Sequence, residues 1–177
     1  MCIRDRNSLT EILDEGGLSY PEVSGDSLAN EIDDMLCDLS TSESTLIHSD
    51  LRADNLLFNT VGDGVMLVDW QGCSFGPSSF DITYHMIQSL SVDDRRKHES
   101  ELLDYYVNSL EFFGHQITID EVHKLYRSSI LYSLSIACAV PLINDVEGPR
   151  VKELAFSMAS RTLAALEDHD IGFGQRG

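Results

Sequence analysis

HSDLRADNLLFNTVGDGVMLVDWQGCSFGPSSFD, residues His48 to Asp81, decides the fold. A polar run from His48 to Asn55 leads into the apolar Leu56–Phe58. The chain turns at Gly62-Asp63-Gly64 and re-enters an apolar run, Val65–Val68, that ends on Asp69. Two short apolar runs joined by about five Gly- and Asp-containing residues predict a β-hairpin with a longer loop. Pairing Asn59 with Val65 sets Asn55 opposite Asp69, where Cβ atoms of facing residues stand about 4.5–5.5 Å apart. An amide oxygen and a carboxylate at that spacing suit one hard cation, with Mg–O distances of about 2.0–2.1 Å. Asp50 lies just upstream, on a loop at the same open end. Three oxygen-bearing side chains are thus expected to converge on one spot.

These residues carry a resemblance. His48-Ser49-Asp50-Leu51-Arg52-Ala53-Asp54-Asn55 resembles the H-x-D-x-x-x-x-N catalytic loop of the protein-kinase-like superfamily, and Leu67-Val68-Asp69-Trp70-Gln71 resembles its metal-binding D-F-G counterpart. Trp70-Gln71, and Gly76-Pro77 leading to Phe80-Asp81, are most similar to the small-molecule branch, which holds the aminoglycoside/choline phosphotransferase and ecdysteroid-kinase-like families. The match is dense over about 40 residues, and the helical remainder matches only loosely.

The resemblance implies ATP- and Mg²⁺-dependent transfer of the γ-phosphate to a hydroxyl of a small molecule. Asp50 matches the catalytic base, and Asn55 and Asp69 match the metal and nucleotide-phosphate ligands. Arg52 stands where a contact to the transferring phosphate and a plain surface ion pair are both open. His48 is placed with the catalytic loop as the residue that holds it by hydrogen bonds near Asp69. Asp81 matches a residue that caps a helix and ties down the loop backbone. Ser49 stands where the phosphotransferases carry Gly, and a positive φ there would strain Ser by around 1 kcal/mol.

Two other classes compete. Gly72-Cys73-Ser74-Phe75-Gly76 fits G-x-S-x-G, the nucleophile elbow of serine hydrolases, but Pro77 interrupts the turn and no doubly wound parallel sheet accompanies it. The other is a non-catalytic fragment or pseudokinase-like binding module. Residues 1–44 contain nothing that reads as the glycine-rich loop, Lys-bearing strand and partner Glu of an N-terminal nucleotide-binding lobe. No G-x-x-x-x-G-K-[ST] supplies another phosphate cradle. The expectation is a C-terminal lobe, residues 1–177, whose N-terminal lobe belongs to a longer protein. An apolar face is expected where that lobe would dock.

The rest of the chain fits an α+β, mostly α-helical domain: a small hairpin carrying the site, followed by four helices. Residues 1–24 read as loop or an incomplete start. Leu28, Ile32, Met35, Leu36 and Leu39 fall at helical spacing over Ser24–Leu39, and Thr45–Ile47 is a short strand. Gln71–Ser79 reads as loop. Helices are predicted over Phe80–Leu90, Asp93–Phe113, Ile119–Val140 (stopped by Pro141) and Val151–Leu166. The pairs Tyr105-Tyr106 and Phe112-Phe113 read as core, and His85, His98, His115 and His123 as isolated surface or core residues.

Twelve basic against thirty acidic residues give a net charge of −18, which argues against nucleic acid or an anionic membrane as partner. No apolar run approaches the roughly 20 residues of a membrane helix, and the start MCIRDRNS lacks a signal-peptide core, so a cytoplasmic protein is expected. Cys2, Cys37, Cys73 and Cys138 form no CxxC, which favours reduced thiols over zinc or disulfides.

Overall fold

The computed structural model describes Met35, Cys37, residues 39–143 and residues 149–171. The loop reading of residues 1–24, and most of the Ser24–Leu39 helix, lie outside the described residues; Met35, Cys37 and Leu39 are helical, with Met35 and Leu39 buried. The described residues divide into two compact units, Leu39–Ser129 and the remainder. The first holds every residue of the predicted site.

That unit begins with β1 (Ser44–Ile47), the short strand expected there. Its partner is β4 (Ser74–Pro77), paired antiparallel with Ile47 opposite Ser74 and Thr45 opposite Gly76. The loop predicted over Gln71–Ser79 is therefore a 3₁₀ turn, Trp70–Gly72, followed by a strand. Gly and Pro hid it, and both have structural reasons. A Cβ on Gly76 would stand 2.9 Å from Ile47 Cδ1, so a bare backbone lets the strand lie on the buried Ile47. Pro77 pairs only with Ser44 at the end of the ladder, where a missing N–H costs little.

Between these strands lies the predicted hairpin, β2 (Leu56–Phe58) and β3 (Val65–Leu67). Its register differs by one residue from the expected one: Phe58, not Asn59, pairs with Val65, and Leu56 pairs with Leu67. Asn59 belongs to the turn. Its Oδ1 accepts the Val61 N–H at 3.0 Å, and its own N–H donates to the Gly64 carbonyl at 2.8 Å. Leu57, Phe58, Val61, Val65 and Met66 are all more than half exposed, so the ribbon offers an apolar surface on both faces.

Helix α1 (Ser79–Ser89) follows, then α2 (Val92–Phe112). Ser91 caps α2 by accepting the Asp94 N–H at 3.1 Å, and Gly114, at φ 86°, closes it. There the Gly114 N–H meets the Glu111 carbonyl and the His115 N–H meets Leu110, a Schellman motif. The inward stripe of α2 is Arg95, Glu99 and Leu103. Arg95, 2% exposed, pairs with Glu99 at 2.6 Å, and the Tyr126 hydroxyl donates to the same carboxylate at 2.8 Å. Burial, helped by the Glu99 charge, pushes the Tyr126 phenol far above its ordinary range. Tyr105, Phe112 and Phe113 lie off this stripe and are exposed, not core as their pairing suggested; Tyr106 is half-buried.

Helix α3 (Ile119–Ile143) starts in this unit with a full capping box: Thr118 Oγ1 accepts the Glu121 N–H, while Glu121 accepts the Thr118 N–H. The helix runs past Pro141, which was expected to stop it. A proline this close to the end removes one ladder bond and leaves few residues to displace. Helix α4 (Pro149–Asp168) belongs to the second unit and buries Ala155, Met158, Ala159, Thr162, Leu163 and Leu166, a single helical face.

Candidate active site

The polar run before the hairpin is a loop with an imposed shape. Ser49 sits at φ 67°, in the left-handed region where a Ser backbone is strained. Both amides that this turn presents point at one side chain: Asp81 accepts the His48 N–H at 2.6 Å and the Ser49 N–H at 2.9 Å. Asp81 lies in the first turn of α1, but it does not cap the helix. The N-cap is Ser78, and the Asp81 carboxylate is committed to the loop. Further on, the Arg52 N–H meets the Asp50 carbonyl at 2.9 Å, and Ala53–Asn55 form a 3₁₀ turn.

His48 is 2% exposed and uses both ring nitrogens. Nε2 lies 2.8 Å from the Val68 carbonyl, which can only accept, and Nδ1 lies 3.3 Å from the Asp50 N–H, which can only donate. The pair selects the neutral tautomer with its proton on Nε2. His48 thereby joins the loop to the strand end just before Asp69, with Trp70 tilted against its ring at 4.8 Å. This is the geometry of a brace, with no ring nitrogen left to shuttle a proton.

Asp50 carries three contacts on its carboxylate. Asn55 Nδ2 donates to Oδ2 at 3.1 Å, the Tyr84 hydroxyl donates to Oδ1 at 3.2 Å, and Arg52 Nε lies 3.0 Å from Oδ1. The Arg52 N–H is directed off that line, so the contact is an ion pair and not an aligned hydrogen bond. Arg52 Nη1 stands 3.7 Å from Asp54. Of the two roles open to Arg52, the structure presents the ion pair.

Asn55 and Asp69 flank the hairpin and are not its strand residues. With the register slipped by one, the ladder ends where the Val68 N–H meets the Asn55 carbonyl at 3.0 Å, and Asn55 faces Val68. Asp69 leaves the ladder at φ 64°, a conformation Asp tolerates. The cross-strand pairing of Asn55 with Asp69 is therefore corrected. What remains is chemically suitable for a hard cation. The Asn55 amide nitrogen is used twice, on the Asp50 carbonyl at 2.8 Å and on its carboxylate, which aims Oδ1 away from Asp50. Among the described residues neither Asn55 Oδ1 nor the exposed Asp69 carboxylate has a protein partner. Carboxylate and amide oxygens without protein partners are of the donor type that Mg²⁺ prefers.

The serine-hydrolase alternative fails here. Ser74 lies in strand β4 at a negative φ, not on a strained strand-to-helix turn, and its Oγ meets Ser49 Oγ at 3.0 Å, not an imidazole.

Apart from Asp81, the sequence reading missed the other side of the loop. Helix α1 presents Asp81, Tyr84, His85 and Ser89 along one face, and each grips the loop in turn. Tyr84 reaches Asp50, His85 bonds the Leu51 backbone, and Ser89 Oγ accepts the Ala53 N–H at 2.9 Å while lying 3.1 Å from His85 Nδ1. Burial lowers the His85 pKa, against the opposing pull of the Leu51 bond. His85 is therefore not isolated. The signal that could have found these residues is their helical spacing from Asp81, a polar stripe beside the buried Phe80, Thr83 and Ile87.

Residues 22–116 match the ecdysteroid kinase-like family. An uncharacterised kinase-like protein of Caenorhabditis elegans is 33% identical over 86 residues, 47% of this chain and 23% of the worm protein. An ethanolamine kinase of Plasmodium vivax superposes with a TM-score of 0.59 at 15% identity, over 93% of this chain and 50% of its own. The chain thus spans half of the parasite protein's length and under a quarter of the worm protein's. The architecture is a mostly helical part of the protein-kinase-like fold, with small antiparallel sheets.

Proposed function

The chain belongs to the ecdysteroid kinase-like family, and on that premise we propose that the protein carrying it transfers the γ-phosphate of ATP to a hydroxyl of a small molecule. The observation that carries this reading is the state of three side chains on one loop-and-hairpin. Asp50 is held in place by donors, while Asn55 Oδ1 and the Asp69 carboxylate are left open. Asp50 orients the acceptor hydroxyl and takes its proton as that oxygen attacks the γ-phosphorus in line, with ADP as the leaving group. Asn55 and Asp69 would hold Mg²⁺, which when bound supplies neutralising charge to the phosphate oxygens. Arg52, two residues past Asp50, exchanges its ion pair with Asp50 for the transferring phosphate. His48 and Asp81 keep the loop in shape and touch no substrate.

Because the chain spans only part of its relatives, turnover is assigned to the longer protein. The exposed apolar ribbon β2–β3 is the surface on which the nucleotide-binding lobe of that protein would rest. The test is calorimetry of ATP binding with and without Mg²⁺, on this chain and on Asp69→Ala. The expected result is weak binding that needs Mg²⁺ and is lost in the variant. Binding that survives the loss of Asp69 would overturn the metal role given to it.

A further inference from the structure

We infer that Tyr84 is a positioning residue for Asp50, setting the direction of its carboxylate from helix α1. The inference rests on the reading of Asp50 as catalytic base. Two of the groups around that carboxylate, Arg52 and Asn55, have further duties. Arg52 is a long side chain, 21% exposed, whose Nε–H is not aligned with Oδ1. Asn55 shares its amide between the carboxylate and the carbonyl of Asp50, and its oxygen is the proposed metal ligand.

Tyr84 differs from both. It is 3% exposed, its ring is fixed by two torsions, and it stands on a helix whose neighbouring residues Asp81, His85 and Ser89 bond the loop backbone on either side of Asp50. The phenol donates to Oδ1 at 3.2 Å, on the atom opposite the one Asn55 holds. With Oδ1 and Oδ2 each tied to a different element, rotation of the carboxylate about its Cβ–Cγ bond is opposed from both sides. The lone pair offered to a substrate hydroxyl then points in one direction. When Arg52 turns to phosphate, Tyr84 is the donor that remains on Oδ1. Misalignment of a base by a fraction of an ångström slows proton transfer without altering nucleotide affinity.

The test is steady-state kinetics of the full-length protein with Tyr84→Phe, Asp50→Glu and the double variant, plus Asp50→Asn as the control on the underlying reading. Phe keeps the ring that packs on the core and removes only the hydroxyl. The expected result is a kcat loss of about tenfold in Tyr84→Phe, with KM for ATP unchanged. In the Asp50→Glu background, where the carboxylate is already displaced, the same change should cost less than about twofold. Equal losses in both backgrounds, or wild-type kcat in Tyr84→Phe, would overturn the positioning role. An Asp50→Asn protein that keeps its turnover would instead overturn the assignment of the base, which separates the two failures.

Discussion

Removing the Asp81 carboxylate should unfasten the loop while leaving helix α1 intact. In Asp81→Ala, two charge-assisted bonds are lost, from the His48 N–H at 2.6 Å and the Ser49 N–H at 2.9 Å. Bonds to charged acceptors contribute about 1.5–3 kcal/mol each. Asp81 is only partly buried, so solvent replaces some of that, and the lower end of the range applies. Two bonds at that end give about 3 kcal/mol. Ser49 lowers the figure slightly, because its left-handed backbone costs around 1 kcal/mol, part of which is recovered when the freed loop relaxes. Little is lost at the helix start, since Asp81 makes no cap bond and Ser78 remains the N-cap. Native-state hydrogen exchange reads this directly. The Ser49 amide should lose about two orders of magnitude of protection, while amides in the middle of α1 change little. Asp81→Asn should fall between, because its amide group offers one acceptor to two donors. Unchanged protection at Ser49 in Asp81→Ala would refute the claim that this carboxylate sets the loop.

Ser49→Gly removes the left-handed strain and should stabilise the chain by about 0.5–1 kcal/mol in urea unfolding, the exposed bond to Ser74 being a minor loss. Gly76→Ala places a methyl 2.9 Å from Ile47 Cδ1 and should cost about 1–2 kcal/mol, with chemical-shift changes at Ile47 and Phe80 on either side of it. The lowered pKa of His85 means that the folded state binds its proton less readily than the unfolded chain does. Its contribution is therefore full above the usual value of 6.5 and is lost as pH falls below that. Exchange at the Ala53 amide, corrected for intrinsic rate, should rise between pH 7 and pH 5, and His85→Gln should flatten that dependence.

What the sequence made legible, and what it did not, divides along physical lines. The two motifs were legible because each packs its donors within a few residues of one another, where spacing alone limits geometry. The register was misread for a local reason: Asn59 continues the apolar run by position, but its side chain closes an Asx-type turn at Val61, and a turn that begins one residue early shifts every pair behind it. Strand β4 was hidden because Gly76 and Pro77 are there for close approach and an end position, not for a turn. On α1 only Asp81 was legible, through the motif it matches. Tyr84, His85 and Ser89 share its face by helical spacing, but they meet partners 34 to 36 residues away, and no local pattern encodes which loop a helix face will meet. The consequence bears on how the site works. The hairpin brings Asn55 and Asp69 into the neighbourhood, but each leaves regular strand geometry there, so the ladder does not fix where their oxygens stand. The loop that holds Asp50 is instead fixed at five successive points, by Asp81, His48, Tyr84, His85 and Ser89, four of them on a single helix. Substitutions along that helix face should therefore reach the site through the loop, while those on the exposed ribbon should leave the direction of the Asp50 carboxylate unchanged.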